Sequence, residues 1–417
     1  MDLTVQLRRA GILLALAATS AAIFVERPGR ARAEAASAVA TNSPMMHGLE
    51  AWAGGRLEEA DHWLRNAWLV DPARHTAAQR LRELHDARGF RLATDEDAIT
   101  LTQQQLGRGF RRSETKHFVI LSNCNSAWTR NKASILERTR HEFFRFAKHL
   151  GLPVIPHERK LLCVLINDHE QYQSFAREHD HLSAGWIAGH YSIDSNRVVF
   201  YNDLTSPAFA AALHTLDGYD DLAQQERGRA DRAPTRDQAQ SLMRHAGELE
   251  REARARREDL GDQADRFATA KTIHEAVHLL SFNTGVQAPS RAYPLWLSEG
   301  LASSFETDDP SRAFGPLYPS ETRENTFRRL RDEHALIPWG DLLTLREPPP
   351  SGDQHVEAIY AQSLVLFSHL ARFHSDALGA YLLNATNHAP DPGEDNVARF
   401  ERFFGPLDSI AREIKRF

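Results

Sequence analysis

Two histidines flank a glutamate at His274-Glu275-Ala276-Val277-His278. On a helix, side chains four apart share a face, with Cβ atoms about 6 Å apart. That spacing lets two imidazoles converge on one zinc ion, while Glu275 projects sideways toward a water on the metal. The chain holds 21 histidines, and chance produces such a pattern at a rate on the order of a few in a hundred. The competing reading is a surface helix carrying two unrelated histidines. A second segment lowers its odds. Tyr293-Pro294-Leu295-Trp296-Leu297-Ser298-Glu299-Gly300-Leu301-Ala302 puts a carboxylate on what reads as a second helix, a short loop downstream. Two histidines, one carboxylate and one open position make the ligand set of a catalytic zinc rather than of a closed structural one. His274, His278 and Glu299 are therefore the expected metal ligands, Zn2+ the expected cofactor and Glu275 the expected general base.

These residues need elements to hold them. Ala268, Ala270, Ile273, Ala276, Val277, Leu279 and Leu280 form an apolar, helix-compatible run around the motif. Asn283, Gly285 and Pro289 supply a turn. Pro294 precedes the second helix, and Trp296 and Leu297 give it a buried face. Glu306, seven residues after Glu299, would share its helical face and is a candidate to orient a ligand histidine. The equal alternative is a plain surface acid. Upstream, 117–121 and 161–166 read as strands, 132–150 and 171–179 as helices. Segments 186–191 and 197–201 flank an Asp194-Ser195-Asn196 turn, a hairpin signal. The strand Arg197 to Tyr201 is either a sheet edge that pairs with extended substrate or an interior strand. Together these predict a small mixed sheet with helices on one side. Downstream, 323–331, 358–372, 376–384 and 396–404 show helical spacing, and Pro348-Pro349-Pro350-Ser351-Gly352 separates two of them. The expected class is α+β: a small mixed β-sheet subdomain, then a mainly helical zinc-binding part, with an N-terminal helical hairpin.

A chain of 417 residues suggests two or three domains. Its net charge of −6 offers no basic field, so nucleic acid is not an expected partner. Residues 1–33 resemble an export signal: Arg8 and Arg9, an apolar run from Gly11 to Val25, and a small-x-small site at Ala31-Arg32-Ala33. Uncleaved, the same run would attach the chain to a membrane, although it is slightly short for a span. Its alanine content and the following site favour cleavage, hence a periplasmic or secreted protein. Residues 34–43 read as a linker. Within 44–92, Gly48, Ala60, Leu64, Ala67 and Pro72 fall at tetratricopeptide-repeat spacings. One repeat cannot build an extended groove, which favours a hairpin packed on the main domain. The main domain is expected over 105–417, with an α/β part at 105–218, a charged helical insertion at 219–266 and the zinc-binding part at 267–417. In the insertion, Glu250–Arg254 and Glu252–Arg256 are favourable pairs four apart, and Gly261 is a candidate break. A solvated helix laid across the domain is favoured there over a partner-binding protrusion. Cys124 and Cys163 either pair in an oxidising compartment or pack singly as small apolar groups.

Three stretches resemble the bacterial peptidase MA-like family: Thr272 to His278, Phe282-Asn283-Thr284-Gly285, and Pro294 to Ala302. Tyr360-Ala361-Gln362-Ser363-Leu364 and the run from Lys116 to Asn202 extend the similarity, so that it covers roughly 105–417. That family belongs to the gluzincins, thermolysin-like zinc peptidases with glutamate as third ligand. The resemblance implies His274, His278 and Glu299 as ligands, Glu275 as general base, and a peptide or protein as substrate. It also implies Tyr360 as a donor to the developing oxyanion; a core tyrosine is the equal alternative. Position 303 is serine where thermolysin carries aspartate, and no Gly-x-Met-Glu-Asn-type segment marks an aminopeptidase. The expected function is an exported zinc metallopeptidase. The alternatives are a non-enzymatic adaptor with a vestigial zinc site, binding through the hairpin and charged helix, and a zinc hydrolase of non-peptide amides.

Overall fold

The structure, a computed structural model, describes residues 43–70, 75–182, 187–318, 320–347, 354–388 and 394–415. The expected export signal, nearly all of the expected linker, Pro72, Trp186 and the 348–352 segment lie outside the described residues. Among the described residues, no helix is long and apolar enough to cross a membrane. The fold is α+β, with a small mixed sheet in the middle of a largely helical chain.

Five strands form the sheet: β1 (Arg111–Glu114), β2 (Phe118–Ser122), β3 (Leu161–Ile166), β4 (Gly189–Ser192) and β5 (Arg197–Tyr201), in the order β1-β2-β3-β5-β4. β2, β3 and β5 are mutually parallel, and the outer strands β1 and β4 run antiparallel to their neighbours. Every residue of β2, β3 and β5 is buried. Unbroken apolar runs of this kind need cover on both faces, and both are covered, which corrects the one-sided expectation. On one face Phe118, Ile120, Cys163, Leu165, Val198 and Phe200 join the main core. On the other, Val119, Leu121, Val164, Ile166 and Val199 pack with residues of α4 (Glu96–Leu106) and α6 (His169–His179). The hairpin around Asn196 forms, but β5 is interior, so the edge strand on this side is β4, itself largely buried. Cys124 and Cys163 are buried free thiols.

The N-terminal part is three helices, α1 (Pro44–Ala53), α2 (Leu57–Val70) and α3 (His75–Asp86), around Ala51, Ala60, Leu64, Leu81 and Leu84. Gly48 is small because a Cβ there would stand 2.8 Å from Leu64. The unit docks on the main domain through side-chain bonds to backbone carbonyls. Trp68 Nε1 donates to Pro153, Arg65 to Pro156 and Arg82 to Val154.

The charged insertion is half of a helical hairpin that starts earlier than its composition suggests. α7 (Pro207–Ala230) runs straight through position 218, and the turn before α8 (Arg236–Thr284) falls at 231–235. Phe209, Ala212, Leu216, Tyr219, Ala253, Leu260 and Ala264 form the narrow seam between the two helices. α8 has 49 residues, about 73 Å at 1.5 Å per residue. Gly261 does not break it: nothing lies within 4 Å of a Cβ there, and a helical glycine costs only about 1 kcal/mol. The first half of α8 is solvated outside the seam, whereas every residue from Lys271 to Phe282 is buried. The helix therefore passes from a two-helix seam into the centre of the molecule, and the motif lies in the buried part.

Candidate metal centre

Two polar ties hold the buried half of α8 against the sheet. One turn before Glu275, Lys271 Nζ donates to both carboxylate oxygens of Asp203 at 2.7 Å and to the Tyr201 carbonyl at 3.1 Å. At the other end Asn283 and Asn196 exchange amide hydrogen bonds of 2.7 and 3.0 Å. The α8 end is thus pinned to the β4–β5 turn. Gly285 then stops the helix in the left-handed conformation, φ 84°. A Cβ there would also meet the Trp68 ring at 2.9 Å.

Glu299 comes from α9 (Leu295–Ser303), every residue of which is buried. Its N-terminus is anchored by Leu295 N–H on the Leu345 carbonyl, and Gln287 Nε2 donates to Ser298 Oγ at 2.6 Å. α9 lies against α12 (Gln354–Phe373) with almost no clearance, because a Cβ on Gly300 would stand 2.6 Å from the Ser363 carbonyl oxygen. Gly300→Ala is expected to cost about 1–3 kcal/mol by forcing the two helices apart. Urea unfolding measures it, and an unchanged midpoint would show that the contact gives way freely.

The three expected ligands meet. His274 Nε2 lies 3.1 Å from Glu299 Oε2 and 3.1 Å from His278 Nε2, and His278 Nε2 lies 3.6 Å from Glu299 Oε1. Two donors on one ion at about 2.1 Å and a tetrahedral angle stand about 3.4 Å apart. The two distances to Glu299 run to different oxygens, and one ligand atom from each of the three residues lies within 4.8 Å of the others. Glu299 Oε1 and both oxygens of Glu275 are buried without a hydrogen-bond partner. Buried carboxylate oxygens left unmatched are costly, and a cation with its water would satisfy them. On these observations the donor set fits a divalent ion.

Glu306 accepts from His274 Nδ1 at 2.9 Å, so the outer support of that imidazole is a carboxylate. α9 has ended by Ser303, and Glu306 reaches the imidazole from the turn beyond it rather than from the same helical face. Ser303 Oγ is buried and makes no hydrogen bond. Glu306 is itself held by Arg323 of α10 (Glu321–Asp332), whose Nε donates at 2.8 Å. Sequence reasoning overlooked Arg323, because nothing in its local pattern separates it from the other arginines of that helix. Lys271 was also overlooked, yet it carried a signal: a lysine on the apolar face of the motif helix. Tyr360 projects from α12 with its ring 6.0 Å from that of His274.

The electrostatics follow from this packing. Burial pushes the Glu299 carboxyl up, but the imidazoles of His278 and His274 outweigh it and hold it at about 2. Burial pulls His274 down, but the carboxylates of Glu299 and Glu306 outweigh it and raise it from 6.5 to about 10. Burial, then the charges of Glu299 and Glu275, push the Tyr360 phenol well above 10, so it remains an O–H donor at neutral pH. In the metal-free protein a proton on His274 therefore occupies the place of a cation. The depressed Glu299 stabilises the fold above its ordinary 4.5 and stops doing so as pH falls through about 2. The raised His274 stabilises it below 6.5 and stops doing so as pH rises through about 10. A divalent ion held here would have to displace that proton, so its affinity would rise about tenfold per pH unit across the neutral range. Competition with a chromophoric chelator at several pH values measures the slope, and a flat profile would contradict the assigned proton.

A family described as a protein of unknown function (DUF1570) matches residues 268–391. That span contains the motif, Glu299, Glu306, Arg323 and Tyr360. No curated protein and no solved structure matches the chain.

Proposed function

We propose that this chain is a zinc metallopeptidase of the gluzincin type, with His274, His278 and Glu299 as ligands. The observation that carries this reading is the meeting of Glu299, from a separate helix, with both imidazoles of α8, beside a Glu275 carboxylate that no other group satisfies. Zinc, when bound, supplies a Lewis acid that lowers the pKa of a coordinated water to about 7. Glu275 would serve as the general base, taking the proton of the attacking water and returning it to the leaving amine. Tyr360 donates its O–H to the developing oxyanion. Glu306, fixed by Arg323, holds His274 in the tautomer that presents Nε2 to the metal. The reading also includes export, which rests on residues 1–33 alone.

An adaptor role would leave Glu275 without a task, and a buried carboxylate with no partner is an expensive feature to keep idle. His274, Glu275, His278, Glu299 and Tyr360 are each 1% exposed or less. Substrate therefore reaches the centre only when the surrounding protein opens. Metal analysis of the purified chain, combined with cleavage of a peptide library before and after zinc is stripped and restored, tests the proposal. Zinc-dependent cleavage is the expected result. Cleavage that survives stripping, or a zinc-loaded protein that cuts no peptide, would end it.

A further inference from the structure

A second cluster of metal-binding side chains lies at the opposite end of the helix that carries Tyr360. His369 is in the last turns of α12. His374 is the residue that precedes α13 (Ser375–Asn387), and Glu413 belongs to α15 (Leu407–Ile414). Each imidazole places Nε2 3.0 Å from the same oxygen of Glu413. One ligand atom from each residue lies within 4.8 Å of the other two. Nine residues of helix, about 14 Å, separate His369 from Tyr360 along α12, so this cluster is distinct from the catalytic one.

We propose that His369, His374 and Glu413 bind a second divalent transition cation, which clamps the C-terminal helix onto α12. Two imidazole nitrogens and one carboxylate oxygen suit zinc, cobalt or nickel better than magnesium or calcium, which prefer all-oxygen surroundings. The nitrogen–oxygen distances are a little shorter than the roughly 3.4 Å edge of a tetrahedral site, so a small outward shift admits the ion. The His369 ring is buried and packs on Phe373 at a centroid distance of 5.0 Å, which presets one ligand. The His374 and Glu413 side chains keep 26% and 39% of their surface exposed, so an ion can enter and solvent can fill its remaining positions. Arg372 stands close enough to His369 to oppose a cation. Affinity is therefore expected to be weaker than at the buried centre.

The test is zinc uptake by the full chain after chelator stripping, read by equilibrium dialysis at neutral pH. It is run on the wild type, His374→Ala, Glu413→Gln and the pair His274→Ala/His278→Ala. Wild type is expected to take up two equivalents in two resolved steps. His374→Ala and Glu413→Gln each lose the weaker step, and the His274/His278 variant loses only the tighter one. Glu413→Gln keeps the side-chain shape, so its loss cannot be ascribed to unfolding. Added zinc should also raise the melting temperature of the His274/His278 variant, and adding His374→Ala should abolish that shift. Uptake that is identical in wild type, His374→Ala and Glu413→Gln overturns the proposal, whatever the outcome at the buried centre.

Discussion

Glu275→Gln is expected to keep its zinc and to lower peptide hydrolysis by about 10²–10⁴-fold. The substitution preserves shape and removes only the ability to accept a proton. Glu275 makes no hydrogen bond with either oxygen and is fully buried, so the amide disrupts no existing contact. The fold should be about as stable as wild type, because a buried side chain with no hydrogen-bond partner is replaced by one of the same shape. Three measurements on one preparation decide the matter: zinc per chain, melting temperature and cleavage rate. A variant that cleaves as fast as wild type would show that proton transfer is done elsewhere. A variant that loses its zinc would make Glu275 a ligand rather than a base.

Glu299→Ala is expected to abolish tight zinc binding at the buried centre. It leaves two imidazoles and no carboxylate, and it removes the only ligand that α9 supplies. Loss of an outer partner such as Glu306 costs roughly 10–100-fold in metal affinity, and loss of a direct ligand costs more. Stability should also fall. Removing the carboxylate strands a charged His274 in the interior with only Glu306 to balance it, and breaking a buried pair from one side costs about 3–5 kcal/mol. Zinc stoichiometry at the tight site measures the first effect and urea unfolding the second. Unchanged tight binding would place the third ligand elsewhere.

Much of the candidate site was legible in the chain because its spacing is local. Residues four apart on a helix share a face whatever surrounds them, so His274 and His278 could be paired without a fold. The strands 117–121 and 161–166 were legible for the same reason: compact apolar runs bounded by turn residues. The short strand β1 was not, because Arg111–Glu114 is exposed and charged throughout. The covering helix α4 was not either, since its buried contacts are only Ile99, Thr102 and Leu106. A helix runs through the expected boundary at 218 because charge composition changes within α7, and a helix continues through such a change when its seam stays apolar.

By itself, the sequence determined the α+β class, the motif helix, the interior strands and the residue types able to hold a cation. Periodicity and backbone preference act over a few residues, and they carry that information without a partner. Only the tertiary structure decided that Glu299 faces the imidazoles, that Glu306 and Arg323 support His274 from beyond the end of α9, and that β4 rather than β5 is the edge strand. It also brought Glu413 to His369 and His374 from about forty residues away. Contacts of this kind depend on how helices and strands pack across the core, and no local spacing encodes the direction from which a distant side chain arrives.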